Sequence, residues 1–517
     1  MSAILLATLN ARYIHASLGL RYLLANLGDL RSEANLREYT IKRPALEIVE
    51  DLLNSKPNSQ PQIVGFGVYI WNVVETTRVV AMLKAVAPEV TVVLGGPEVS
   101  HETTEQEIVG LADYVITGPG EVSFAQLCQQ ILVGAAPAEK IIAGEVHPLD
   151  QLVLPYREYS DEDIAHHFIY VEASRGCPFK CEFCLSALDK TAKPFELERF
   201  LDEMAALYAR GVRHFKFVDR TFNLNLNTGV RILEFFLARL DDKLFLHFEV
   251  IPDHLPPALK TLIERFPAGS LQFEVGVQTF NPAVQALISR KQDNARTEDN
   301  LRWLRQYSQA HLHADLIIGL PGEDMTSFGQ GFNRLVALGP HEIQVGILKR
   351  LRGAPIARHT ECHGMCYNPL PPYEILATDC ISFATMRRLA RFARYWDMLA
   401  NSGRFTHALP LLLGDAPFAR FLQFSDWLYA QTGMTGDLAL DRLFRLLYEG
   451  LPALFEVEDS AVRAALEKDF NRTGNQGMPR FLRAGLVSEP SGSSGRTAAR
   501  QGRHGWPIPV DEPPLQN

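Results

Sequence analysis

Cys177, Cys181 and Cys184 fall within eight residues, in the run Ala173-Ser-Arg-Gly-Cys177-Pro-Phe-Lys-Cys181-Glu-Phe-Cys184. Thiolates at C-x3-C-x2-C spacing on one loop can surround a single metal cluster, as iron–sulfur proteins require. Only three ligands are supplied, so a four-iron cluster would keep one iron without a protein ligand, open to a small molecule. The same spacing also allows a zinc site completed from elsewhere, by Cys362, Cys366 or a histidine. Zinc sites usually pair two C-x2-C knuckles, and this sequence has no second one. Seven cysteines in 517 residues, an odd number with three packed together, do not read as a disulfide framework. They point to cofactor chemistry in a reducing, cytoplasmic setting.

The elements that must position this loop read as a strand and helix array starting at Phe168. Strands are expected at Phe168 to Glu172, His214 to Val218, Phe245 to Val250, Leu271 to Val277, Leu312 to Ile318 and Glu342 to Leu348. Helical patterns such as Leu197 to Arg210 and Asn300 to Gln309 lie between them. Six such units suggest a partial (β/α)6 barrel over residues 168–355, with its site at the C-terminal ends of the strands. Residues 1–135 form an earlier array. Short apolar runs at Ala3 to Leu9, Leu36 to Ile41, Ile63 to Tyr69, Val90 to Leu94 and Tyr114 to Thr117 alternate with amphipathic stretches. That order predicts a doubly wound α/β domain with a parallel sheet. Gly95, Gly96, Gly118 and Gly120 fall at strand ends, where such sheets hold ligands; ordinary tight turns are the other reading. Residues 136–167 read as a linker, 356–487 as a helical domain with helices over Tyr373 to Asn401 and Ala416 to Tyr448, and 488–517 as a disordered Gly-, Ser-, Arg- and Pro-rich tail.

The cysteine run, placed at the first strand of a βα array, resembles the signature of the radical S-adenosylmethionine (SAM) superfamily, whose barrel is of TIM type. The resemblance implies a [4Fe-4S] cluster whose open iron is chelated by the amino and carboxyl groups of SAM. One-electron reduction then releases methionine and a 5′-deoxyadenosyl radical. Phe183 matches the aromatic that lies near the adenine. Asp219, in Phe217-Val-Asp219-Arg-Thr-Phe-Asn223, stands where the family holds the SAM amino group, although the usual Gly-Gly-Glu is absent. Glu274 and Gln278, in Phe273-Glu274-Val-Gly276-Val-Gln278, match polar side chains that meet SAM, and Gly319, in Asp315-Leu-Ile-Ile-Gly319-Leu-Pro-Gly322-Glu323, matches the fifth-strand motif bordering the adenine.

Residues 1–135 in turn resemble the flavodoxin-like cobalamin-binding domain of the cobalamin-dependent class, through VVLGGPEVS and ADYVITGPGEVSF. This implies corrin contacts from Gly95, Gly96, Gly118, Gly120 and Glu121. In the Asp-x-His-x-x-Gly pattern of a cobalt-ligating histidine, Tyr13 here stands in place of Asp and Gly19 falls one residue late. Cobalamin bound without a ligand from His15 is therefore expected. The helical C-terminal part and phrases such as Leu348-Lys-Arg-Leu-Arg-Gly353 look like a group of cobalamin-binding radical SAM proteins that carry a C-terminal DUF4080 domain.

His247 and Glu249 fall two apart and share a strand face, turned either to substrate or to a structural hydrogen bond. Cys362 and Cys366 read as free thiols, and Cys128 and Cys380, in apolar helical contexts, as core residues. A net charge of -9 and a pI near 6.0 disfavour a nucleic-acid partner, which needs clustered cations. No stretch approaches the ~20 apolar residues of a membrane span, and the N-terminus lacks the basic region of a signal peptide. The expected activity is methylation of an unactivated carbon of a small-molecule substrate, with an electron donor such as flavodoxin or ferredoxin. A radical rearrangement, cyclisation or oxidation, or a zinc-stabilised binding module, are the alternatives.

Overall fold

The computed structural model describes residues 3–54, 62–473, 479 and 481–482. The 488–517 tail and the last residues of the expected helical domain lie outside the described residues. The chain divides into two compact units. The first runs to Val250 and includes 286–291 and 348–376; the second comprises 251–285, 292–347 and the residues from 377 onward.

In the first unit, β1 (Ile4–Asn10), β2 (Ala34–Thr40), β3 (Ile63–Gly67), β4 (Thr91–Gly95), β5 (Tyr114–Thr117) and β6 (Ile141–Ala143) form one parallel sheet in the order β2-β1-β3-β4-β5-β6. The central strands β1 and β3 are apolar and buried on both faces, as parallel strands covered by helices must be. Helices Leu18–Ala25, Val73–Val86 and Glu121–Leu132 supply those covers. One expectation is corrected: Ile141–Ala143, placed in the linker, pairs in parallel with β5 as a sixth strand.

The same unit holds β7 (Ile169–Val171), followed by the two-residue strands β8 (Ser174–Arg175) and β9 (Lys193–Pro194), then β10 (His214–Phe217) and β11 (Phe245–Val250). Strands β7, β10 and β11 pair in parallel in that order, and β8 pairs antiparallel with β9. The loop after β1 reaches the start of β7: the Phe168 N–H donates to the Ile14 carbonyl at 2.9 Å.

The second unit contains β12 (Leu271–Gln278), β13 (His311–Ile318) and β14 (Glu342–Ile347), also parallel, with helices Asn294–Tyr307 and Met325–Leu338 between them. All six expected barrel strands are thus strands. Helices Phe383–Leu399, Pro417–Thr432, Leu440–Phe455 and Asp459–Arg472 pack in this unit. Phe392, Trp396 and Phe418 press their rings on Phe332 of Met325–Leu338. Asn401 closes the edge of β14, donating to the Ile343 carbonyl at 2.9 Å and accepting from its N–H at 3.0 Å. The helix expected from Tyr373 begins only at Phe383, because Tyr373 has a left-handed backbone and its hydroxyl is drawn to Glu98. Cys128 is buried as expected, but Cys380 is exposed. It sits in a turn whose N–H groups, Cys380 and Ile381, are tied to the Thr378 hydroxyl just before that helix. Among the described residues no helix is long and apolar enough to cross a membrane.

Asn72, fully buried, ties the C-terminal ends of β1 and β3 together. Its amide donates to the Leu9 and Gly67 carbonyls at 3.0 and 3.1 Å and accepts from the Tyr69 N–H at 2.8 Å. Asn72→Ala takes a donor from the Leu9 carbonyl and the acceptor from the Tyr69 N–H, while the Gly67 carbonyl keeps the Thr8 hydroxyl at 2.9 Å. Denaturant unfolding should show a loss of about 2–3 kcal/mol; an unchanged midpoint would contradict this reading.

Candidate cofactor sites

The C-terminal ends of β3, β4 and β5 border a crevice of about 200 Å³, lined by Gly95, Gly96, Gly118, Gly120 and Glu121, with Gly65, Gly67 and Tyr69. The glycines make the space. A Cβ on Gly65 would lie 3.0 Å from Leu6 and Phe124, and one on Gly96, whose φ is 111°, would lie 2.4 Å from the Val68 carbonyl oxygen. Beside it Tyr69 stacks on the half-exposed Trp71, ring centroids 4.4 Å apart and planes 8° off parallel. A slot walled by glycine and apolar side chains, at a sheet edge, suits a large planar ligand with an extended tail. His15, in the loop after β1, has Nδ1 2.7 Å from the Tyr170 hydroxyl on β7.

The cysteine loop starts after β7 and is pinched at its base by the β8–β9 pair. Gly176 has φ 93°, and a Cβ there would lie 2.0 Å from the Thr191 carbonyl oxygen, so only glycine fits. The Cys177 N–H donates to the Asp189 carbonyl and the Cys184 N–H to the Cys181 carbonyl, each at 3.1 Å. Cys181 is buried; Cys177 and Cys184 are half-buried. Burial raises the Cys177 thiol above its ordinary range, the Phe179 N–H opposes this, the sulfurs of Cys184 and Cys181 raise it further and Arg220 pulls it down. Metal binding there must therefore displace a proton. Among the described residues, only Glu274, His313 and Asp315 bring three ligand atoms within 4.8 Å of one another; the three sulfurs are not so gathered. One zinc ion needs sulfurs only about 3.8 Å apart, given Zn–S bonds of about 2.3 Å. A cubane spreads its ligands over several irons and does not need them so close.

Three side chains hold this loop. Asp219 is buried after β10, and both its oxygens accept from the Ala173 N–H, at 2.9 and 3.2 Å, while the Ser174 hydroxyl donates to Oδ1 at 2.6 Å. The carboxylate expected to face SAM thus fixes the start of the cysteine loop. Arg175, two residues before Cys177, donates to Glu172 at 2.6 Å and to Glu121 at 2.7 Å, and lies over the Tyr22 ring. Glu121 lines the glycine crevice, so one guanidinium joins the crevice wall to the cysteine loop. Arg290 donates to the Cys181 sulfur at 3.4 Å. Phe183 is half-buried in the same loop.

A second tie runs to the β4 loop. Glu98, 4% exposed, accepts from the Tyr373 hydroxyl at 2.7 Å and from Arg352 at 3.1 Å, and Glu102 pairs with Arg350 and Arg352. Gly353 packs where a Cβ would lie 2.3 Å from the His101 ring. The Leu348 to Gly353 phrase of the sequence is this clasp.

In the second unit, Glu274 and Gln278 on β12 and Asp315 on β13 share one face with His313 and Glu342. Register sets Glu274 beside His313 and His313 beside Glu342. His313 Nε2 is 3.1 Å from Asp315, and Nδ1 3.5 Å from Glu342. Burial disfavours the imidazolium, yet these carboxylates hold His313 protonated, at about 9. The β12 register slips between Gly276 and Gln278, and Gln278 has φ 68°, rare for a residue with a side chain. Gly276 permits it, since a Cβ there would lie 2.5 Å from Gln278 Nε2. Gly319, φ 88°, turns the chain after β13. Glu249, one of the two face-sharing residues on β11, pairs with Arg220 at 2.8 Å, while His247 is buried. Sequence reading missed Arg175, Asp189, Arg290, His313 and Glu342; only the alternation His311, His313, Asp315 carried a signal, as one strand face.

Family models match along the chain in order: the B12 binding domain over residues 4–128, the Radical SAM superfamily over residues 171–333, and the protein of unknown function DUF4080 over residues 361–497. The uncharacterized methyltransferase PH0819 of Pyrococcus horikoshii is 30% identical over 197 residues, 33% of this chain and 42% of that protein. The cobalamin-dependent radical SAM methyltransferase TokK of Streptomyces tokunonensis is 26% identical over 343 residues, 57% of this chain and 48% of that protein. The match therefore spans less than half the length of either curated relative. The radical SAM methyltransferase TsrM from Kitasatospora setae, solved with cobalamin and a [4Fe-4S] cluster bound, aligns with a TM-score of 0.59 over 92% of this chain and 100% of that chain, at 17% identity, a likeness of fold. The chain belongs to the radical SAM proteins that carry an N-terminal B12-binding domain. Within them it is one with a C-terminal DUF4080 segment. Its radical SAM domain implies SAM and a [4Fe-4S] cluster, and its B12-binding domain implies cobalamin.

Two outcomes test these sites. Burial raises the Asp219 carboxyl to about 7, against its Ser174 and Ala173 hydrogen bonds. Its folded form therefore binds a proton more tightly than the unfolded chain, whose Asp titrates near 3.9. The stability it contributes is full below about pH 4 and is lost as pH rises through about 7, by up to about 1.4 kcal/mol per pH unit. Urea unfolding of Asp219→Asn should lack that decline relative to wild type; parallel profiles would contradict it. Gly65→Val fills the crevice between Leu6 and Phe124, and should weaken hydroxocobalamin binding at least tenfold in an absorbance titration while the far-UV spectrum stays native. Unchanged affinity would remove the crevice as the corrin site.

Proposed function

We propose that this chain is a cobalamin-dependent radical SAM methyltransferase that methylates an unactivated carbon of a small molecule. The observation that carries this reading is the Arg175 bridge: a guanidinium in the cysteine loop bonded to Glu121 of the glycine crevice. It ties the loop proposed for the cluster to the crevice proposed for cobalamin.

Cys177, Cys181 and Cys184 would hold the cluster and leave one corner for SAM. By the family resemblance, Phe183 in the first unit and, in the second, Glu274, Gln278 and Gly319 are the residues proposed for SAM. Gly95, Gly96, Gly118 and Gly120 would admit cobalamin, with Glu121 held by Arg175 rather than offered to the corrin. When bound, these groups supply reductive cleavage of SAM and a cobalt-borne methyl group. The chain's contribution is placement and exclusion of water: Asp219 and Arg175 fix the cysteine loop, and the apolar crevice walls keep solvent from the corrin. All seven cysteines are unpaired, which supports a cytoplasmic setting, and a one-electron donor of the flavodoxin or ferredoxin kind belongs to the same proposal.

The test is anaerobic incubation of the loaded protein with methyl-labelled SAM and a reductant. 5′-Deoxyadenosine should form, and label should appear in the bound corrin; Cys184→Ala should cut deoxyadenosine at least a hundredfold. Cleavage without any label in the corrin would favour the rearrangement or oxidation reading instead.

A further inference from the structure

Glu182 stands between two of the three cysteines, where the spacing itself asks for no carboxylate. It is 3% exposed, and every polar group it has is taken by a residue more than a hundred positions away. Its N–H donates to the Ile288 carbonyl at 3.1 Å, and its carbonyl accepts from the Ile356 N–H at 2.9 Å. Its Oε1 accepts from the Ser289 hydroxyl at 2.5 Å and from the Arg358 guanidinium; Oε2 lies 2.8 Å from His359 Nε2. Ser289 adopts a left-handed backbone, φ 54°, which a residue with a side chain holds only when its surroundings impose it. Arg358 is largely exposed and adds little. Ser289 and the buried His359 are the partners that matter.

We propose that Glu182 is the positioning residue of the cluster site. Two chain segments, 286–291 and 354–359, grip it by backbone and side chain, and through it they fix the turn from Cys181 to Cys184 and so the spread of the sulfurs. The inference rests on the reading that these cysteines hold a four-iron cluster. It adds that the site is not complete within residues 171–333: His359, beyond that segment, belongs to it. A loop freed at Glu182 keeps its three thiolates but loses their fixed separation, so the cluster should bind more loosely and in a mixture of geometries.

The experiment uses full-length protein loaded anaerobically with iron and sulfide, as wild type, Glu182→Ala, Glu182→Gln, Ser289→Ala, His359→Gln and Cys184→Ala. It reads the rate at which EDTA removes the cluster, the EPR line shape after reduction, and the thermal midpoint of each unloaded protein. Glu182→Ala should lose its cluster at least tenfold faster, with a broadened signal. Glu182→Gln, which keeps an acceptor for Ser289, should recover to within about threefold of wild type. Ser289→Ala and His359→Gln, each removing one partner and keeping the unloaded midpoint, should lose it at least threefold faster, and they decide the matter if Glu182→Ala does not fold. Wild-type rates and line shapes in these two, or in a folded Glu182→Ala, would overturn the proposal while leaving the cluster assignment standing. A wild type that takes up no more cluster than Cys184→Ala would overturn the assignment, and the latch with it.

Discussion

Three cysteines within eight residues would repel one another once ionised to bind metal, and so short a loop has little backbone of its own to fix them. The first unit meets this constraint from outside the loop. The base is closed by the β8–β9 pair and by Gly176, which alone can pass the Thr191 carbonyl. The start is fixed by Asp219, whose buried carboxyl takes the Ala173 N–H and the Ser174 hydroxyl. The middle is gripped at Glu182. The holds at Asp219 and Glu182 are buried polar contacts, strong because their alternative is an unsatisfied group rather than water. The loop is thereby held at its base, its start and its middle by the protein around it.

The same logic links the loop to the glycine crevice. Arg175 is shared between Glu172 and Glu121 and lies over an aromatic ring, so its charge is satisfied three ways. Glu98 and Glu102 meet Arg350, Arg352 and Tyr373 in a second cluster at the neighbouring β4 loop. Both ties use bidentate or networked arginine, which fixes orientation as well as distance. A chemistry that moves a group between two bound cofactors depends on that orientation more than on affinity.

Much of this was legible in the sequence, for physical reasons that differ by element. The cysteine run was visible because side chains meant for one cluster from one loop would have to be close in sequence. The parallel strands were visible because burial on both faces makes them continuous apolar runs, as in IVGFG of β3. The crevice glycines stood at strand ends, and all four line it. Ile141–Ala143 was missed because three residues, exposed or half-exposed at a sheet edge, carry almost no pattern. The helix expected from Tyr373 starts ten residues later, since a long-range contact with Glu98 overrides local preference there. Glu121 and Asp219, expected to meet the corrin and SAM, have their carboxylates bonded to Arg175 and to Ala173 and Ser174, contacts that no local pattern announces. Ser289, His359 and Arg290 could not be found at all: topology, not spacing, brings them to the cysteine loop.

The central claim is that Cys177, Cys181 and Cys184 carry a four-iron cluster with one corner open to SAM. Its most direct measurement is metal and acid-labile sulfide analysis of anaerobically prepared protein, joined to the EPR spectrum of the reduced sample before and after SAM is added. The account predicts about four irons and as many sulfides per chain, and a signal whose g-values move when SAM binds. About one zinc with no sulfide, or a cluster signal that SAM leaves unmoved, would contradict it.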